Sequence, residues 1–118
     1  MKNLITLFVI VLCGIITSFA AKLTVDNTPG SAAQYNSIQN AINAATSGDT
    51  ILVYGSAYTY GTVDINKKLT LVGSAAFDPE VSNESRPTVS SLVFSASTTT
   101  NGSVITGFNV GYISNNGY

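Results

Sequence analysis

From Thr50 to Val110 the large apolar residues come mostly in pairs one residue apart: Ile51 and Val53, Val63 and Ile65, Leu69 and Leu71, Leu92 and Phe94, and, after a single Ile105, Phe108 and Val110. A period of two places both members of a pair on one face of an extended chain, so each pair marks a short strand with one buried side. Polar residues such as Asp64, Thr70 and Asn109 stand between several of them, and Gly48, Gly55, Gly73 and Gly107 lie at run ends, where the chain must turn. Composition points the same way. Ser, Thr and Asn supply 39 of the 118 residues and charged residues 9%, which excludes long charged helices, coiled coils and charge-rich disorder. A chain of this length holds one domain at most.

One stretch departs from the period of two. Ile38, Ala41, Ile42 and Ala45 fall at i, i+3, i+4 and i+7, which predicts a helix over Asn36–Ala45 with Asn36 or Ser37 at its start and Gly48 just past its end. Gln39, Asn40 and Asn43 form its polar face, so the helix reads as a lid over strands that follow it. Ahead of it, Leu23-Thr24-Val25 reads as extended, and Asp26, Asn27, Pro29 and Gly30 as turn formers. Residues 21–34 are thus an extended lead-in and 35–118 the folded unit.

Residues 1–20 read as a leader. Lys2 precedes an apolar run from Leu4 to Cys13, and Ser18-Phe19-Ala20 ahead of Ala21 is a small-x-small cleavage signal. The uncharged stretch Leu4–Ala21 is also near the length of an uncleaved anchor, but Gly14 interrupts it and the small residues favour cleavage after Ala20. The processed chain is then expected to be secreted or at the cell surface, with no stable membrane span. Cys13 leaves with the leader, so the remaining 98 residues hold no disulfide, thiolate metal site or thiol nucleophile. With six acids against five bases and no histidine, nothing marks a nucleic-acid partner, and the commonest general base and metal ligand are missing.

Successive apolar pairs are separated unevenly: Val53 to Leu71 is 18 residues, Leu71 to Phe94 is 23 and Phe94 to Val110 is 16. Such spacing suits solenoid coils with turns of variable length. A β-sandwich of hairpins is the alternative, disfavoured because no two-residue Asn-Gly or Asp-Gly loop joins adjacent runs. The order Tyr35-Asn36-Ser37-Ile38-Gln39-Asn40-Ala41-Ile42-Asn43-Ala44-Ala45, followed by Ser47-Gly48-Asp49-Thr50-Ile51-Leu52-Val53, resembles the opening of right-handed parallel β-helix proteins of the pectate-lyase-like superfamily. The likeness continues through Val63–Gly73 and Val104–Val110, and departs from the family pattern at Tyr60-Gly61. It implies an all-β solenoid, a right-handed parallel β-helix of three sheets with a short N-terminal capping helix. About three coils would fit, and Gly111–Tyr118 reads as a turn leading into another strand, so the unit is expected to be truncated at its C-terminal end and to self-associate there through Ile105, Phe108 and Val110.

The same family contains polysaccharide lyases, hydrolases, adhesins and scaffolds. Lyase chemistry needs carboxylates clustered for calcium and a positioned base, whereas Asp26, Asp49, Asp64 and Asp78 are scattered singly. Asp49 reads as a turn cap and Lys67-Lys68 as a solvated turn. No catalytic residue, metal or cofactor is assigned, and the chain alone is not expected to act as an enzyme. Tyr54, Tyr58 and Tyr60 either present flat faces to sugar rings or pack on the outside of the first coil. The stretch Ser74–Pro87 carries Asp78, Glu80, Glu84 and Arg86 between stiffening prolines, and is either a binding loop or a passive solvated excursion. Asn83-Glu84-Ser85 and Asn101-Gly102-Ser103 match the N-glycosylation pattern. The expectation is the N-terminal part of a secreted or cell-surface protein that in its full-length form is carbohydrate-binding or carbohydrate-active, as a polysaccharide lyase or glycoside hydrolase would be, with polysaccharide as partner; the alternative is a non-catalytic adhesin or structural solenoid.

Overall fold

In the computed structural model, residues 19–76, 86–95 and 100–115 are described. Strands form where the apolar pairs lie: β1 (Lys22–Val25), β2 (Thr50–Val53), β3 (Thr62–Ile65), β4 (Thr70–Gly73), β5 (Thr88–Phe94), β6 (Val104–Thr106) and β7 (Asn109–Asn115). The single α-helix among the described residues, α1 (Ile38–Ala44), follows β1, and a 3-10 turn at Ser74–Ala76 follows β4. The helix is shorter than its apolar period because Ser37 caps it, its hydroxyl accepting the Asn40 N–H, and Ala45 closes it with an N–H that reaches the carbonyls of Ala41 and Ile42.

The strands make two parallel sheets, in the orders β1-β2-β4-β6 and β3-β5-β7. This corrects the expected fold class. Two short parallel sheets with one helix are an α/β-type arrangement, and among the described residues neither a third sheet nor a repeating solenoid coil is formed. The uneven intervals mixed the two sheets: Leu71 is in register with Ile105, whereas Phe94 lies in the other sheet beside Ile65 and Asn115. Within the first sheet the register partners Leu23, Ile51, Leu71 and Ile105 are 28, 20 and 34 residues apart, too irregular for one repeated coil. The segment Tyr54–Gly61, which a third sheet would require as strand, is held instead by side chains described below. Every pairing among the described residues is parallel, so no hairpin sandwich is formed there either.

The core lies between the sheets and beneath the helix. Val25, Ile51, Val53 and Leu71 from one sheet meet Val63, Ile65, Val89 and Leu92 from the other, and Ile38, Ala41 and Ile42 seal one end, all at most 2% exposed. α1 packs on β1, β2 and β3. Two polar side chains fasten it. Gln39 accepts the Asp64 N–H (2.8 Å) and donates to the Asp64 carbonyl (3.2 Å), so its amide pairs with β3 as a neighbouring strand would. Lys67 Nζ donates to the carbonyls of Ile42 and Ala45, both at 2.9 Å, satisfying the helix C-terminus. Lys67 is therefore a helix cap, not a solvated turn.

Two further sequence readings change. Gly111–Asn115 belongs to β7 and is not a turn; a Cβ on Gly111 would meet the Ser90 carbonyl at 2.7 Å, so the glycine is there for close approach of two strands. Gly73 likewise crowds: its missing Cβ would lie 2.1 Å from the Gly107 carbonyl oxygen and 2.9 Å from Pro87 Cγ, and Gly107 itself turns with φ +77°. At the β6 and β7 end Ile105, Phe108 and Val110 are half-buried against the core, and the exposed apolar residues are Val104, Tyr112 and Ile113.

Candidate functional site

The site begins where β1 ends. The Asp26 carboxylate accepts the Thr28 N–H through Oδ1 (2.8 Å), starting a turn that the sequence marks with Asn27, Pro29 and Gly30. The chain returns along β1: Tyr35 N–H donates to the Thr24 carbonyl (3.0 Å) and Asp26 N–H to the Tyr35 carbonyl (2.9 Å). Gln34 reinforces this, its Oε1 accepting the Thr24 N–H (3.0 Å) while its own N–H donates to Thr24 Oγ1 (3.1 Å). The loop 26–36 is thereby fixed along the outer edge of β1.

Two open depressions flank Asp26. One, of about 360 Å³, is lined by Thr24, Asp26, Ala32, Ala33 and Tyr54. The other, of about 380 Å³, shares Asp26 and Ala33 and runs under the loop backbone to Tyr35 and Asn36. Asp26 Oδ1 is the carboxylate oxygen that holds the turn, and Oδ2 has no hydrogen-bond partner among the described residues. Tyr54 is 41% exposed at the rim.

The three tyrosines do not form one platform. Tyr60 is half-buried against the core; its O–H donates to the Tyr54 carbonyl (2.6 Å) and accepts the Asn27 N–H (3.2 Å). Burial raises its pKa, and the Asp26 charge adds to the rise. Tyr58 is exposed, and Asn27 and Ser56 hold its backbone: Asn27 Nδ2 donates to its carbonyl (3.4 Å), Ser56 Oγ accepts its N–H (3.1 Å), and Ser56 and Asn27 bond each other through their side chains. Tyr60 and Asn27 therefore position the Tyr54 backbone beside Asp26, and Tyr54 alone of the three lines the cleft.

Asp78, Glu80 and Glu84 lie outside the described residues, as does the Asn83 glycosylation pattern. Arg86 is half-buried, its Nε without a hydrogen-bond partner among the described residues. Asn101 is exposed on a turn, while the Ser103 hydroxyl of the same pattern accepts the Leu69 N–H (3.2 Å). The described carboxylates sit apart on separate elements. Asp64 bonds Ser95 on the β3–β5 side, and Asp49 is 5% exposed, accepting the N–H groups of Ala21 through Oδ1 and Thr46 through Oδ2, both at 2.8 Å. The Thr46 and Ala21 N–H groups, with Lys67 nearby, hold the Asp49 pKa below its ordinary value. Among the described residues no group of three or more metal-ligating side chains forms, and no helix is long and apolar enough to cross a membrane.

No family model, curated protein or solved structure matches the chain. The cleft at Asp26 was missed in the sequence because Asp26-Asn27-Thr28-Pro29-Gly30 reads as a turn and its nearness to Tyr54 depends on the pairing of β1 with β2.

Proposed function

We propose that this is a secreted or cell-surface protein that binds neutral carbohydrate in the cleft between Asp26 and Tyr54. The observation that carries the reading is a partly exposed tyrosine beside a carboxylate whose Oδ2 has no partner among the described residues, in an open cleft of about 360 Å³. A tyrosine face packs on the C–H face of a sugar, and a carboxylate oxygen accepts its hydroxyls. The same negative charge repels uronic acids, so neutral glycans are favoured. The leader read at residues 1–20 supports export. The test is NMR titration with neutral hexasaccharides of glucose, xylose and mannose alongside an oligogalacturonide. Saturable shifts of residues around Asp26 with a neutral sugar, weakened about tenfold by Tyr54→Ala, are expected. Shifts with none of them, or binding unchanged by both Tyr54→Ala and Asp26→Asn, refute the proposal.

A non-catalytic structural role rests on a different observation. β6 and β7 each have a strand neighbour on one side alone among the described residues, and Val104, Tyr112 and Ile113 there are 52%, 65% and 62% exposed. Self-association through these edges predicts a concentration-dependent sedimentation coefficient that Ile113→Lys abolishes; a monomer at all concentrations counts against it.

A further inference from the structure

We infer that removal of the leader between Ala20 and Ala21 creates an α-ammonium group that forms an ion pair with the Asp49 carboxylate, so that processing itself fastens the first strand to its sheet. The inference rests on the leader reading and extends it. Ala21 N is 2.8 Å from Asp49 Oδ1, and the Ala21 carbonyl accepts the Thr50 N–H at 2.9 Å, so both ends of this residue are tied to the segment that opens β2. Phe19 and Ala20, just before it, are exposed.

Hydrolysis adds water across the Ala20–Ala21 amide. Ala20 departs as a carboxylate, and the Ala21 amine takes up a proton to become ammonium. The nitrogen keeps its place, because the Thr50 bond and the β1 register of Lys22 with Thr50 are unaffected. What changes is its charge. Asp49 is almost wholly buried, yet its donors, the Ala21 and Thr46 N–H groups and the Thr46 hydroxyl, are all neutral, and Lys67, the nearby cation, is engaged with the Ile42 and Ala45 carbonyls. A new cation at hydrogen-bonding distance replaces one amide bond by a charge-assisted one. Lys22, next in the chain, and Lys67 are the other charged groups that bear on the pair.

The experiment begins with N-terminal sequencing of exported protein, and continues with denaturant titration of the chain starting at Ala21, once with a free amine and once Nα-acetylated. Acetylation restores the neutral amide N–H and removes only the charge. At pH 7 the acetylated form is expected to have a folded-to-unfolded ratio lower by about tenfold, equivalent to a pKa shift of one unit. The gap should close in Asp49→Asn, and as pH rises through the raised pKa of the amine. Because Asp49→Asn also weakens the bonds from Thr46, the amine is titrated directly by NMR as well, with a pKa above the ordinary range of about 7.7–8.0 expected. Equal stability of the two forms, or an amine titrating in that range, overturns the ion pair while leaving the leader reading intact. A first residue other than Ala21 overturns both.

Discussion

Replacing Gly73 by alanine tests the closest approach that an added Cβ would meet at any of the described glycines. Gly73 ends β4 opposite Val53, and its φ is not in the left-handed region, so alanine there is conformationally permitted. The obstacle is space. The added Cβ would meet the Gly107 carbonyl oxygen at 2.1 Å, where a carbon and an oxygen need about 3.3 Å. The turn at Gly107 must withdraw by roughly 1 Å, and Pro87 Cγ at 2.9 Å blocks a sideways escape. Overpacking of this kind costs about 1–3 kcal/mol, and pulling β6 from β4 at Val72 and Thr106 sacrifices about 1 kcal/mol of ladder hydrogen bonding, so about 3 kcal/mol in all is expected. Gly61→Ala supplies the comparison, since Gly61 has φ +74° but nothing near its missing Cβ. Strain alone should cost it about 1 kcal/mol. Urea titration followed by circular dichroism measures both, and in a thermal melt Gly73→Ala is expected to lower Tm by at least about 10 °C. If Gly73→Ala proves no more destabilising than Gly61→Ala, the backbone contact does not govern how β4 and β6 pack.

Ile42→Asp buries a charge in the helix face at a site with no exposure, and should cost at least about 4 kcal/mol, read as loss of the cooperative unfolding transition. Asp49→Asn should destabilise by about 1–2 kcal/mol at neutral pH. Because the Asp49 pKa is lowered on folding, its contribution is complete above the unfolded carboxylate value of about 3.9 and lost as pH falls through the folded value, so the two proteins should converge in stability on acidification. Gln39→Leu removes both bonds to the Asp64 backbone and should quicken hydrogen exchange at the Asp64 amide by about tenfold or more, without unfolding the protein.

Local features of the fold were legible in the sequence and long-range ones were not. The i, i+3, i+4, i+7 period marked α1 to within two residues, and the apolar pairs marked β2 to β5, because both signals reside in neighbouring residues. Which strand lies beside which depends on loop paths that no period records. Leu71 and Phe94 look like successive rungs and belong to different sheets, and that misassignment carried the solenoid reading with it. Gly111 misled for a related reason: glycine marks both turns and close approaches, and the Ser90 carbonyl that decides between them is distant in the chain. At the site, Tyr54 stood out as one of three closely spaced tyrosines with Tyr58 and Tyr60, while Asp26 became its neighbour only through the parallel register of β1 with β2. Gln39 and Lys67 gave no signal, since a polar helix face and a lysine pair look solvated wherever they occur.

The Gln39 amide lying along β3 has a consequence for growth. It occupies the outer edge of the second sheet as Tyr35 occupies that of the first, so among the described residues each sheet has one covered edge, at β1 and β3, and one unpaired edge, at β6 and β7. A body with one adhesive end cannot propagate. Two copies meeting edge to edge leave only blunt ends outward, so such an encounter yields a closed pair and no fibre.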